Sequence, residues 1–157
     1  PGGTRVAVLL SFDVDNETVW VKNADFSIGN LSQGQYGARV GLPRILDVLD
    51  EYQVPASFFV PVMSFEISPD MVGAIQESGR HEIGIHGWIH ERSDQLQSGD
   101  EERLIRRSVA RMTEIIGKRP VGHRAPGWTF SEDTLDLLLN MNFLYDSSLM
   151  ADDRPYE

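Results

Sequence analysis

A chain of 157 residues with 41% hydrophobic and 24% charged side chains has the balance of one globular domain, covering 1–157 and long enough to bury a continuous core. Its formal net charge of -10 repels phosphate backbones and anionic bilayers, which argues against nucleic acid and against a membrane surface as partners. No run approaches the roughly 18 apolar residues of a spanning helix. With no cysteine there are neither disulfides nor thiolate metal sites. Pro1-Gly2-Gly3-Thr4 lacks the charged and apolar regions of a signal peptide, so a cytoplasmic location is expected.

The first apolar run, Val6-Ala7-Val8-Leu9-Leu10-Ser11-Phe12, is nearly continuous and predicts a buried strand. From about Asn16 to Gly37 the chain is rich in Asn, Ser, Gln and Gly and predicts a loop, and loops this long in a compact domain usually serve function. Leu42, Ile45, Leu46 and Leu49 fall on one face of a helix, with Pro43 suited to its first turn. Residues 55–60 (PASFFV) predict a second strand. Ser68-Pro69-Asp70 supplies an N-cap, a first-turn proline and a first-turn acid for a helix that stops at Gly79. Residues 81–86 (HEIGIH) predict a third strand, and Ile105, Val109, Met112 and Ile116 mark a third helix ended by Gly117. Residues 121–124 form a short fourth strand, Ser131 caps a fourth helix carrying Leu135, Leu138 and Leu139, and 143–146 begin a fifth strand.

This alternation with short connections predicts an α/β architecture of parallel strands joined by right-handed crossovers. An open doubly wound sheet and a (β/α) barrel both fit. Five strands are fewer than the eight of an ordinary barrel, so the barrel reading expects further strands beyond Glu157.

Polar residues gather at the carboxyl ends of these strands. In extended chain Asp13 and Asp15 share a face, and two such carboxylates in an apolar setting call for a cation. Taken alone, Asp-x-Asp fits a solvated turn as well. His86-Gly87-Trp88-Ile89-His90 spaces two imidazoles so that one helical turn would let them share a metal, although a surface pair has the same spacing. Gly87 stands where the zincin motif needs its Glu base, so that motif is excluded. Asp15, His86 and His90 together make a three-ligand set with an open fourth position, the mark of a catalytic metal site.

Arg124-Ala125-Pro126-Gly127-Trp128 follows the fourth strand. Arg124 is suited to hold a carboxylate by two contacts, and Gly127 leaves its backbone N–H approachable. Trp88 and Trp128 are candidate walls of a substrate pocket, with plain packing as the alternative. His81 and His123 have the wrong strand parity for the site and are expected to be structural.

With these residues in view, the chain resembles the polysaccharide deacetylase family, also called NodB-homology or carbohydrate esterase family 4. SFDVD resembles its first motif, HGWIH its second and RAPGW its third, while YDSSLM lies where the fourth is expected. The likeness runs from about Val6 to the C-terminus. It is greatest to the branch with allantoinase-like and cyclic-imide hydrolases and a bacterial peptidoglycan deacetylase.

The resemblance implies a distorted (β/α)7 barrel with its C-terminal strands missing from this chain. It implies Asp13 as general base, Asp15, His86 and His90 as ligands of one divalent metal, usually Zn2+, and Arg124 as the residue that orients the base. Gly127 matches the N–H donor to the oxyanion, and Asp146 loosely matches an acid of the fourth motif that would face the pocket. Gly127 replaces the usual aromatic of the third motif, with Trp128 one step later. The family's general-acid histidine has no counterpart before Glu157.

The function expected is metal-dependent hydrolysis of a non-peptide C–N (amide) bond. The substrate is a small cyclic imide or ureide, favoured by the apparent cytoplasmic location, or an N-acetylated sugar. Homo-oligomerisation is left open. Two other readings stand beside it. One is a metal-binding but catalytically incomplete domain. The other is a haloacid-dehalogenase-like phosphatase, which needs Thr or Val where this chain has Glu17 and leaves HGWIH and RAPGW unexplained.

Overall fold

The computed structural model describes residues 6–97, 99–152 and 156. Five strands form one parallel sheet in the order β1-β2-β3-β4-β5, with β1 Ser11–Asp13, β2 Ser57–Val60, β3 Glu82–Ile85, β4 Gly122–His123 and β5 Tyr145–Asp146. A doubly wound sheet reverses its strand order at a switch point. Here each strand adds beside the one before, which winds the sheet one way and curls it as part of a barrel.

The register brings Asp13 level with Phe59, and Ile85 level with His123. The residues that follow β1, β3, β4 and β5 therefore emerge at one end of the sheet. Alternate residues serve opposite faces. Phe58, Val60, Ile83 and Ile85 join the main core with Leu42, Leu46 and Leu49 of α3 (Leu42–Glu51), Phe65 of α4 (Val62–Ile67), Met71 and Ile75 of α5 (Asp70–Gln76), and Met112 and Ile116 of α6 (Asp100–Ile116). Each such side chain contributes about 1.5–3 kcal/mol by leaving water.

Phe59 points to the other face. Its ring lies so close to Gly84 that a Cβ there would stand 2.7 Å from the ring edge, and it meets Tyr145 edge-on at 6.3 Å. The last helix, α7 (Thr134–Asn140), precedes β5. Among the described residues no helix is long and apolar enough to cross a membrane.

Three expectations are corrected. The first strand begins only at Ser11, and Val6, Val8 and Leu9 are 72%, 77% and 85% exposed. A strand buried on both faces needs a partner along its length. Before Ser11 the ladder to β2 keeps only the bond from Ser57 N–H to Leu10 carbonyl, 3.0 Å. Secondly, the expected loop after Asn16 is folded. It holds α1 (Thr18–Val21) and α2 (Ile28–Tyr36), then a π-type turn, Gly37–Gly41, leading straight into α3. Its packing depends on Gly34, where an added Cβ would lie 2.6 Å from Glu17 N, so backbone rather than an apolar stripe makes the contact. Thirdly, Ser131 does not cap α7 at its N-cap, which is Asp133. Instead the Ser131 hydroxyl accepts from Asp133 N–H at 3.1 Å and donates to Glu101.

Candidate metal centre

The site starts where β1 ends. Val14 N–H still bonds to Phe59 carbonyl at 2.9 Å, so the chain stays extended through 13–15 and both acids face one way, as their spacing predicts. The carbonyl of Asp15 accepts from Thr18 Oγ1 at 2.6 Å, Ser64 Oγ at 2.9 Å and Thr18 N–H at 3.1 Å. Three donors on one carbonyl fix the backbone that carries the Asp15 carboxylate.

The histidine segment reaches the same point by a different route from the one expected. Residues after β3 form no helical turn: Gly87 has φ +78° and His90 φ +63°. Both φ values are left-handed, which excludes a regular right-handed helix. The Glu91 carboxylate gathers the turn by accepting from Trp88 N–H at 2.8 and 3.0 Å and from Ile89 N–H at 2.7 Å. Gly87 is required twice over, since a Cβ there would also lie 2.9 Å from Pro126 Cγ. The outcome is two imidazoles edge-to-face with centroids 5.1 Å apart.

The donors converge. His86 Nε2 lies 3.4 Å from Asp15 Oδ1, and His90 Nε2 lies 3.5 Å from Asp15 Oδ2. One donor atom from each of the three falls within 4.8 Å of the others, the one such group among the described residues. His86 Nδ1 is 2.8 Å from the Arg124 carbonyl, which can only accept. Nδ1 therefore carries the proton, and the Nε2 lone pair faces Asp15.

The electrostatics point the same way. Burial first, and then the charge on Asp13, push the Asp15 carboxyl up to about 6, with Lys22 opposing the shift. Burial lowers both histidines, His90 to about 4, which favours the neutral imidazoles that metal binding needs. Asp15 Oδ1 is buried with no hydrogen-bond partner. An orphaned carboxylate oxygen beside the Nε2 atoms of two imidazoles fits one divalent cation with an open position.

Asp13 stands beside this group. Its Oδ2 is 4.0 Å from His86 Nε2, and its Oδ1 accepts from Arg124 Nη1 at 2.6 Å. Arg124 is itself fully engaged. It donates to Ser11 Oγ at 2.8 Å and Ser147 Oγ at 2.9 Å, and its guanidinium lies 4.2 Å over the Phe59 ring. Ser11 and Ser147 were not singled out by the sequence, because a serine beside an arginine has no distinguishing pattern. Gly127 has φ +62° in the turn Pro126–Trp128, and Trp128 is 54% exposed beside it.

Two pocket expectations change. The indole of Trp88 packs under Arg107 at 3.6 Å and lines a groove with Met63, Glu66, Ala110, Arg111 and Glu114, in which no metal-set residue takes part. Asp146 is committed elsewhere: its Oδ2 takes His123 Nδ1 at 2.7 Å and Ser148 Oγ at 2.9 Å, and its Oδ1 takes Ser148 N–H at 2.7 Å. Ser148 Oγ in turn accepts from Ala125 N–H at 2.8 Å, so this acid braces the Arg124 turn. His81 and His123 are structural, as their parity implies: His81 Nδ1 accepts from Ala56 N–H at 3.3 Å.

A one-way parallel α/β sheet with acid and imidazole donors at its carboxyl end defines a barrel-type protein with its chemistry in the strand-end loops. The family model for polysaccharide deacetylases matches residues 34–145, and the chain belongs to that family. It is 36% identical over 155 residues to a peptidoglycan deacetylase of Helicobacter pylori, covering 97% of this chain and 53% of that protein. A solved Mycobacterium smegmatis structure assigned as a polysaccharide deacetylase superposes with a TM-score of 0.92 at 39% identity, over 99% of this chain and 55% of the other. Puue allantoinase shares the fold, with a TM-score of 0.88 at 24% identity over 99% of this chain and 58% of its own. The chain thus spans about half the length of the relatives it matches. The NodB-type barrel expected from the sequence is the fold found, as a curled half-barrel.

Proposed function

We infer that this chain carries the metal-binding half of a hydrolase active site that removes acetyl groups from N-acetylated sugar, with peptidoglycan as the substrate class. The observation that carries this reading is the meeting of Asp15, His86 and His90 within 4.8 Å, with Asp13 beside them and paired to Arg124. The choice of sugar over cyclic imide follows the relatives. The H. pylori protein at 36% identity is a peptidoglycan deacetylase, whereas the likeness to the allantoinase is one of fold.

Asp15, His86 and His90 would hold the cation, and one carboxylate with two imidazoles suits Zn2+. When bound, such an ion polarises the amide carbonyl and acidifies water from a pKa of ~15.7 toward ~7. Asp13 accepts the proton of the attacking water at Oδ2, since Oδ1 is held by Arg124. Arg124 acts through Asp13: three of its guanidinium nitrogens are anchored, which keeps the base in one orientation. The Gly127 N–H serves as a donor to the developing oxyanion, and one such donor is typically worth about 3–4 kcal/mol. Trp128, exposed next to it, offers an apolar wall to the sugar. None of the four histidines is free to protonate the departing amine, because two are ligands and two hold neighbouring groups. The complete reaction is therefore assigned to the whole protein.

The test is an assay of the full-length protein against N-acetylglucosamine oligomers and against succinimide-type cyclic compounds. Release of acetate from the oligomers alone is expected. Turnover of the cyclic compounds alone would transfer the site to the imide hydrolases.

A further inference from the structure

Lys22 directly follows α1, in the stretch whose sequence reads as loop, yet its side chain crosses to the histidine turn. Its Nζ lies 2.9 Å from the His90 carbonyl oxygen and 2.9 Å from His90 Nδ1. The first contact has a fixed direction, because a carbonyl only accepts; a charged lysine donates to Nδ1 only while the ring proton sits on Nε2, so with Nε2 free for a metal the carbonyl contact is the one that holds. One amine thus lies against both the backbone and the ring of a single ligand, and grips it by the backbone.

The two ligand histidines are held in different ways. His86 leaves β3 with its N–H bonded to Val60 carbonyl at 3.3 Å and its ring fixed on the Arg124 carbonyl. His90 sits outside the sheet at φ +63°, a conformation that an L side chain resists. Glu91 ties the N–H groups of Trp88 and Ile89, while Lys22 takes the His90 carbonyl. With Nδ1 beside the amine, Nε2 is turned to Asp15 Oδ2.

We propose that Lys22 is a positioning residue for the metal centre, holding His90 in its left-handed conformation with Nε2 aimed at Asp15. This rests on the reading of Asp15, His86 and His90 as metal ligands. The positive charge of Lys22 opposes a nearby cation, so the two effects have opposite signs and can be told apart. Support of a ligating histidine is typically worth about 10–100-fold in metal affinity.

The experiment uses the full-length protein as wild type, Lys22→Met, Lys22→Arg and Asp15→Ala, each stripped of metal. Zn2+ affinity is read by competition with a chromogenic chelator, and the imidazole nitrogens of His86 and His90 are followed by NMR. Met keeps the apolar stem, so folding is retained. In Lys22→Met, affinity should fall about tenfold or more. Only the His90 resonances should move, and Lys22→Arg should recover most of the loss by restoring a donor to the carbonyl. Affinity in Lys22→Met equal to or tighter than wild type overturns the proposal while leaving the metal centre intact. So does a loss that moves both imidazoles alike, which marks a general effect on the fold. If wild type and Asp15→Ala bind Zn2+ equally, the metal centre itself fails, and the role of Lys22 with it.

Discussion

Asp15 two residues beyond β1 and Glu101 at the start of α6 are both acids drawn away from water, and the structure treats them in opposite ways. Glu101, 5% exposed, has a hydroxyl on each oxygen: Thr134 donates at 2.6 Å and Ser131 at 2.5 Å. Asp15 has one oxygen with no partner, a second acid beside it and two imidazole nitrogens within 3.5 Å. A buried acid with both oxygens paired is a strut between α6 and α7, whereas one left incomplete beside other donors is a site for something else. The orphaned oxygen does not suffice alone. Glu17 Oε2 is also buried without a partner, and it belongs to no cluster of metal donors among the described residues.

That contrast can be broken or sharpened by substitution. The largest effect is expected at the base. Asp13→Asn should lower kcat by about 10²–10⁴ with metal content unchanged, measured by steady-state assay beside elemental analysis. Equal losses of metal and activity would make Asp13 a ligand instead. At the turn, Gly87→Ala forces a Cβ to 2.9 Å from Pro126 Cγ at a backbone φ of +78°. A loss of about 1–3 kcal/mol is expected in urea melts, together with weaker metal binding. Glu101→Gln should cost a similar 1–3 kcal/mol by spoiling the hydroxyl pairing, yet leave metal affinity at the wild-type level. A change in affinity there would erase the distinction between strut and site.

The smallest effect is one of pH. Asp15 is raised from 3.8 to about 6 in the fold, so its contribution is full below 3.8 and is lost as pH rises through 6. His90 is lowered from 6.5 to about 4, so its contribution is present above 6.5 and lost as pH falls through 4. The two slopes oppose each other over the same window in the metal-free protein. Asp15→Asn removes one of them, and its urea midpoint should climb more steeply than that of wild type between pH 4 and 6.5. Parallel profiles would contradict the assignment of these shifts.

Much of this was legible in the chain. The strand–helix alternation placed β2 through β5 and α3, α5 and α6 near their positions, because the apolar periods of those helices are set by burial against one sheet. Helix α7 is also near its expected position, although of Leu135, Leu138 and Leu139 only Leu138 is buried. Asp13 and Asp15 follow directly from strand parity. The pairing of His86 with His90 came out through the wrong geometry: a spacing of four suggested a helix, and two left-handed residues with a Glu91 clasp achieved the same convergence. The segment 16–37 was illegible because α1 is only four residues long and α2 packs by close backbone approach at Gly34 and carries few apolar residues. Lys22 was hidden there for the same reason. Trp88 and Asp146 show a different limit. A side chain near a strand end can turn outward to Arg107, or inward to His123, and spacing alone does not tell which.

The proposed function requires that Asp15, His86 and His90 share one cation. Crystals of the full-length protein grown with Zn2+ and measured at the zinc absorption edge test it most directly. One strong anomalous peak is expected about 2.0–2.1 Å from Nε2 of both histidines and about 2.0–2.2 Å from an Asp15 oxygen. A peak on other residues, or none in crystals whose solution retains stoichiometric zinc, would contradict it.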